Sequence, residues 1–112
     1  MHYAAITDGD NLSAIARDIC RQNAVDKIIG WTIDKRHDRR SLILCVSGRV
    51  TADIAVKASR AGIPIIASRS VPTCEAVEIA HGHGVTLVGH ILDQQRAIYA
   101  HPWRLTNHDL EL

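Results

Sequence analysis

The chain has 112 residues, enough for one domain that buries about 65% of its unfolded surface without disulfide or metal staples. Its hydrophobic fraction of 46% includes no Phe, two Trp and two Tyr, so the core is aliphatic and stacking platforms for single-stranded nucleic acid are poorly supplied. Thirteen Lys plus Arg against twelve Asp plus Glu leave a formal charge of +1, which argues against a general polyanion binder.

Cys20, Cys45 and Cys74 are far apart and form no C-x-x-C, so neither a disulfide framework nor a four-cysteine zinc site is expected. A reducing, cytoplasmic setting is the default expectation. The start, MHYAAITDGD, lacks a basic region ahead of a long apolar stretch, and no segment approaches about 20 apolar residues, so neither export nor membrane spanning is expected.

In chain order, His2 to Thr7 and Leu12 to Arg17 flank the turn signal TDGDN and predict a β-hairpin. A helix from Asn11 is the competing reading, since Leu12, Ile15, Ala16 and Ile19 also fit helical spacing. Asn23 is placed to cap the next helix, with Asp26 in the capping-box position and an end by Lys35. The run DKRHDRR then reads as a solvated loop. Leu42 to Val46 predicts a buried strand, Thr51 to Ala61 a helix closed by Gly62, and Pro64 to Ala67 a second buried strand. Thr73 to His81 predicts a helix, and Val85 to Gly89 and Arg96 to His101 two final strands. This order predicts a three-layer α/β/α sandwich, its mixed sheet parallel at the centre and preceded by an N-terminal hairpin.

With right-handed crossovers, the helices starting near Asn23, Thr51 and Thr73 all begin at the carboxyl edge of the sheet, where open α/β folds bind ligands. Arg21, Gln22, Asn23, Ser47, Gly48, Arg49, Ser68, Arg69, Ser70 and Thr73 fall around that edge. The set is rich in hydrogen-bond donors and poor in general bases, which suits phosphate groups better than proton abstraction. A purely structural reading stands beside it: Ser47, Ser70 and Thr73 serve turns and caps, and Arg49 pairs with Asp53. The pair of imidazoles in HGHG, His81 to Gly84, reads as the flexible exit of a helix in preference to a metal site.

Four stretches, RQNAVDKIIG from Arg21, VSGRVTADIAVKASRAGIPIIAS from Val46, VPTCEAVEIAHGHGVTLVGH from Val71 and IYAHPWRL from Ile98, resemble in order and spacing the C-terminal domain of the FdhD family. Its members are formate dehydrogenase accessory proteins, sulfur carriers for molybdenum cofactor maturation. The resemblance covers nearly the whole chain, read as one domain over 1–112. It implies a cytidine-deaminase-like fold that binds the bis(molybdopterin guanine dinucleotide) form of the molybdenum cofactor, with GDP as a surrogate. It also implies a cysteine desulfurase as sulfur donor and formate dehydrogenase as recipient. A second copy of the chain is a further partner to consider; nucleic acid and membrane are not expected. The cofactor-binding residues so implied are Arg21, Asn23, Ser47, Gly48, Arg49, His90, Ile91, Leu92, Asp93, Gln94 and Gln95, and the guanine dinucleotide supplies the phosphates.

The sequence departs from the family pattern in places. The family's sulfur-bearing cysteine lies in a loop upstream of the hairpin and has no counterpart here, so no catalytic residue is assigned. Where the family has Glu-Asp-Val-Gly-Arg-His-Asn, this chain has Arg17-Asp18-Ile19-Cys20-Arg21-Gln22-Asn23. After the strand TLVG, His90, Asp93 and Gln94 replace an aromatic, a basic residue and a glycine, and the Asp93 carboxylate would oppose a phosphate. The H-x-E and P-C-x-x-C of zinc deaminases are absent, so a zinc-activated water is not expected. Two other functions compete: a complete sulfurtransferase whose thiol has moved to Cys74, at a helix start that favours thiolate, and a degenerate structural or interaction domain without ligand.

Overall fold

The computed structural model describes residues 1–9, 11–34, 41–91 and 97–104. Strands β1 (His2–Thr7) and β2 (Leu12–Asp18) form the hairpin expected from the Asp-Gly turn, pairing antiparallel from His2 opposite Asp18 to Thr7 opposite Leu12. Gly9 adopts φ 102°, a conformation that glycine reaches without a Cβ penalty, and Asn11 N–H donates to Asp8 Oδ1 at 2.8 Å to close the turn. The competing helix from Asn11 does not form.

Helix α1 (Arg21–Asp34) starts two residues ahead of the expected Asn23 cap. The Cys20 carbonyl accepts from Ala24 N–H at 3.2 Å, and Asp18 Oδ1 accepts from Cys20 N–H at 2.9 Å, so Asp18 organises the entry instead. Asp26 has left the capping box for an ion pair with Lys57 at 3.0 Å. Then follow β3 (Ile43–Val46), α2 (Ala52–Ala61), β4 (Ile65–Ser68), α3 (Cys74–His83), β5 (Thr86–Gly89) and β6 (Ala97–Ala100), with a short 3-10 turn at Pro102–Arg104. Gly62 closes α2 in the left-handed region at φ 78°. Helix α3 runs past its expected end at His81: His81, Gly82 and His83 are its last turn, and the cap is Gly84 at φ 72°. The expected loop Lys35 to Arg40 lies outside the described residues.

The six strands are ordered β2-β1-β3-β4-β5-β6. The centre, β3-β4-β5, is parallel, while β1 runs against both β2 and β3 and β6 against β5. The mixed sheet, parallel centre and N-terminal hairpin of the expected α/β architecture are therefore present. Each of the connections β2-α1-β3, β3-α2-β4 and β4-α3-β5 steps the same way across the sheet, so right-handed crossovers set all three helices over one face. Packing agrees: α2 touches both α1 and α3. One core cluster joins Ala24, Val25 and Ile28 of α1, Ile54, Ala55 and Ala58 of α2, and Ala76 and Ala80 of α3 to Ala4, Ile6, Leu44, Val46, Ile66 and Leu87 of the sheet. The described residues thus build two layers, the sheet and the helices over one face of it; the second helical layer of the expected three-layer sandwich is not among them, because all three crossovers step the same way.

The topology also fixes one edge. The carboxyl ends of β3, β4 and β5 and the starts of α1, α2 and α3 lie together there, and because β1 is antiparallel to β3, its first residue, His2, lies there too.

Candidate functional site

At this edge the segment after β3 is held from three sides. Ser47 exchanges hydrogen bonds with Tyr3: its N–H donates to Tyr3 O at 3.1 Å and its Oγ accepts from Tyr3 N–H at 2.9 Å. Ser68, fully buried at the end of β4, donates its hydroxyl to Gly48 O at 2.7 Å and accepts from Ser70 N–H at 3.0 Å. Arg21, in the first turn of α1, donates through Nη1 to Arg49 O at 3.3 Å. Gly48 therefore lies against one imidazole ring and one guanidinium. A Cβ there would sit 3.2 Å from His2 Nδ1 and 3.8 Å from Arg21 Nη1.

The start of α2 is less satisfied. Thr51 occupies the N-cap in extended conformation but its side chain makes no capping bond, and its Oγ1 is buried with no hydrogen-bond partner among the described residues. An orphaned, buried hydroxyl oxygen at a helix start carries an unmet desolvation cost. At α3 the cap is conventional, Thr73 Oγ1 accepting from Ala76 N–H at 3.1 Å, and Thr73 N–H donates to Val50 O at 2.9 Å, which ties α3 to the same segment. Cys74 follows at once, exposed, as the first residue of α3.

After β5 the chain turns sharply. His90 adopts φ 53°, its N–H donates to Ser70 O at 3.2 Å, and Ile91 N–H donates to Ser68 O at 3.0 Å. Gly89 makes the turn feasible: a Cβ there would meet Ser70 O and Tyr99 Cε2 at 2.8 Å each. Ser68 is thus the hub that joins His90 and Ile91 to Gly48.

Of the residues assigned from sequence, Arg21, Ser47, Gly48, Arg49, His90 and Ile91 come together. Asn23 lies in the first turn of α1 and is exposed. Leu92, Asp93, Gln94 and Gln95 lie outside the described residues. The alternative pairing of Arg49 with Asp53 does not occur; Gln22 Nε2 donates to Asp53 Oδ2 at 3.0 Å and masks the one carboxylate in the first turn of α2. Arg49 is exposed at the rim. His2 was missed, because its approach to Gly48 spans most of the first half of the chain and no local spacing announces it.

Electrostatically the edge is basic, with Arg21, Arg49 and Arg69 beside helix starts that carry partial positive charge. Asp18, the nearest acid on β2, is engaged: its 2.9 Å bond to Lys27 first, then the Cys20 N–H, hold its carboxyl below the ordinary value of 3.8. Burial pushes the Cys45 thiol up, as suits a thiol packed within a strand. No group of three or more His, Cys, Asp or Glu able to hold a metal occurs among the described residues. His81 and His83 serve the helix end instead: His83 Nδ1 lies 2.9 Å from Ile79 O, and His81 O lies 3.0 Å from His101 Nε2. No described helix is long and apolar enough to cross a membrane.

Comparison with known proteins places this architecture. The model of the FdhD/NarQ family matches residues 1–106. The sulfur carrier protein FdhD of Staphylococcus haemolyticus is 39% identical over 105 residues, which is 94% of this chain and 40% of that protein. The protein of the same name from Sulfolobus acidocaldarius is 47% identical over 107 residues, 94% of this chain and 42% of the relative. A crystal structure from Desulfotalea psychrophila, described as a formate dehydrogenase accessory protein, superposes with a TM-score of 0.87 at 30% identity, covering 94% of this chain and 47% of that one. The chain therefore spans less than half the length of the relatives it matches. Within that span the agreement of sequence and fold is continuous from the hairpin to β6, and the chain belongs to the FdhD/NarQ family.

Proposed function

We propose that this chain is the nucleotide-holding part of an FdhD-type sulfur carrier: the edge built around Gly48 receives the guanine dinucleotide end of the molybdenum cofactor, the client to be sulfurated before it enters formate dehydrogenase. The observation that carries this reading is the convergence of three helix starts on one segment flanked by Arg21 and Arg49, with an orphaned Thr51 hydroxyl beneath it. Helix starts and guanidinium groups favour phosphate oxygens through free N–H donors and charge-assisted bonds. Gly48, without a side chain, lets the His2 ring and the Arg21 guanidinium pack close against the backbone at this edge. The names of the relatives, sulfur carrier and formate dehydrogenase accessory protein, set the biological direction.

Each group has a definite task in this reading. Arg21 and Arg49 neutralise phosphate charge, and Ser68 keeps the Gly48 peptide in place. Gln22 keeps Asp53 from repelling the anion. His90 and Ile91 form the floor where β5 ends. The test is calorimetric titration of the chain with GDP and, in parallel, with guanosine. Saturable binding of GDP that guanosine lacks is expected; no saturable binding at millimolar GDP would leave the domain a scaffold.

A further inference from the structure

The sheet face opposite the helices is apolar along its middle row, half-buried at Ala5, Cys45 and Ala67 and only 4% exposed at Val88, and it opens to solvent toward its β2 and β6 edges. Register carries one row of side chains across all six strands: Ile15, Ala5, Cys45, Ala67, Val88 and Ile98 are successive partners. None is charged and none belongs to the core cluster. Ile15 is 56% exposed and Ile98 36%, and Leu12 and Tyr3, on the same face, are 64% and 39% exposed. Parallel strands such as β3 and β4, apolar on both sides, occur almost solely in sheets covered on both faces. An apolar sheet face must be buried against another layer.

Relatives that share this sheet have most of their length outside the matched region. We infer that this face, with its exposed edges, is the seat of an apolar polypeptide layer contributed by the part of an FdhD chain that lies outside that region, completing the third layer of the sandwich. This goes beyond the nucleotide reading and does not depend on it. An apolar polypeptide is favoured over a charged partner because the row from Ile15 to Ile98 has no charge, the cation Arg17 opposite Tyr3 standing at the outer end of the face, and burial of the row would be driven by surface removed from water.

The test measures thiol accessibility at Ile15. The substitution Ile15→Cys, in a chain with Cys20→Ser and Cys74→Ser, is followed by alkylation with iodoacetamide and peptide mass spectrometry. The same chain is then grafted in place of the matched region of the intact Staphylococcus haemolyticus relative. Alkylation at position 15 is expected to be fast in the isolated chain and slower by at least about tenfold in the chimera, since a covered site reacts only through local opening. Equal rates in a chimera with a cooperative thermal transition would overturn the inference. So would protection in the isolated chain that grows with its concentration, which assigns the face to a second copy, or protection abolished by ending the chain at Arg104, which assigns it to residues 105–112. Should the chimera not fold, a cysteine at the aligned position of the intact relative answers the same question, with protection expected and fast alkylation overturning.

Discussion

Ser68→Ala removes the hub of the candidate site and leaves a hole no larger than one oxygen. In the native chain the hydroxyl donates to Gly48 O at 2.7 Å and accepts from Ser70 N–H at 3.0 Å, inside a fully buried residue. A typical intramolecular hydrogen bond contributes about 0.5–1.5 kcal/mol, and a buried partner left unsatisfied costs about 1–3 kcal/mol. Two bonds lost, with Gly48 O and Ser70 N–H partly rescued by water at the crevice, imply a loss of about 2–3 kcal/mol. Urea unfolding followed by circular dichroism measures it: the midpoint should fall with the m-value unchanged. GDP affinity should drop as well, because the hydroxyl positions the Gly48 carbonyl directly and His90 through Ser70, while the bond from Ile91 N–H to the Ser68 carbonyl is kept. A variant within about 0.5 kcal/mol of the parent, the range of ordinary surface substitutions, would refute the view of Ser68 as the hub.

Arg49→Ala should weaken GDP binding by about 1.5–3 kcal/mol, the range for hydrogen bonds to a charged group, while leaving the thermal midpoint nearly unmoved; equal affinities by calorimetry would place the phosphates elsewhere. Gly89→Ala should destabilise by about 1–3 kcal/mol in urea, since its Cβ meets the Ser70 carbonyl at 2.8 Å and backbone must yield; an unchanged midpoint would contradict that packing. Asp18 has a lowered pKa, so its contribution to stability is full above 3.8 and fades as pH falls through the lower folded value. Asp18→Asn should therefore be less stable than the parent at neutral pH, with the gap closing in acid, and parallel stability curves from pH-dependent urea unfolding would disprove it. Incubated with a cysteine desulfurase and radiolabelled cysteine, the chain should take up no persulfide sulfur; label that disappears with Cys74→Ser would make Cys74 a sulfur carrier.

The order of elements was legible because glycines and aliphatic runs punctuate this chain clearly. Gly62 closes a helix, Asp8-Gly9 turns a hairpin, and the strands need only length and β-branched content to be found. The entry of α1 was not, because Asn23 has the right chemistry for a cap while the acceptor actually used, Asp18, sits at the end of the preceding strand. HGHG was misjudged for a related reason: two glycines suggested an exit, but only Gly84 takes the left-handed conformation and Gly82 stays helical. Which face each strand residue takes could not be read from ILCV, since all four are apolar, yet Leu44 and Val46 enter the core and Ile43 and Cys45 face away. Arg21, Gly48 and Arg49 were legible as neighbours because helix starts gather by topology. Ser68 emerged as its hub only from contacts twenty residues apart in sequence.

The place of His2 has a bearing on chemistry delivered from elsewhere in the family. β1 begins at the crevice, so in any FdhD chain that continues ahead of the residue matching His2, the continuation departs from within reach of Gly48. A reactive group on such a continuation needs no docking event of its own. Under the proposed function it would meet a client held at Gly48 at an effective concentration set by tether length, in the millimolar range for a short flexible segment and falling roughly as the −3/2 power of its length. Strand polarity at a single residue thereby turns what would be an encounter between two bodies into the swing of a loop.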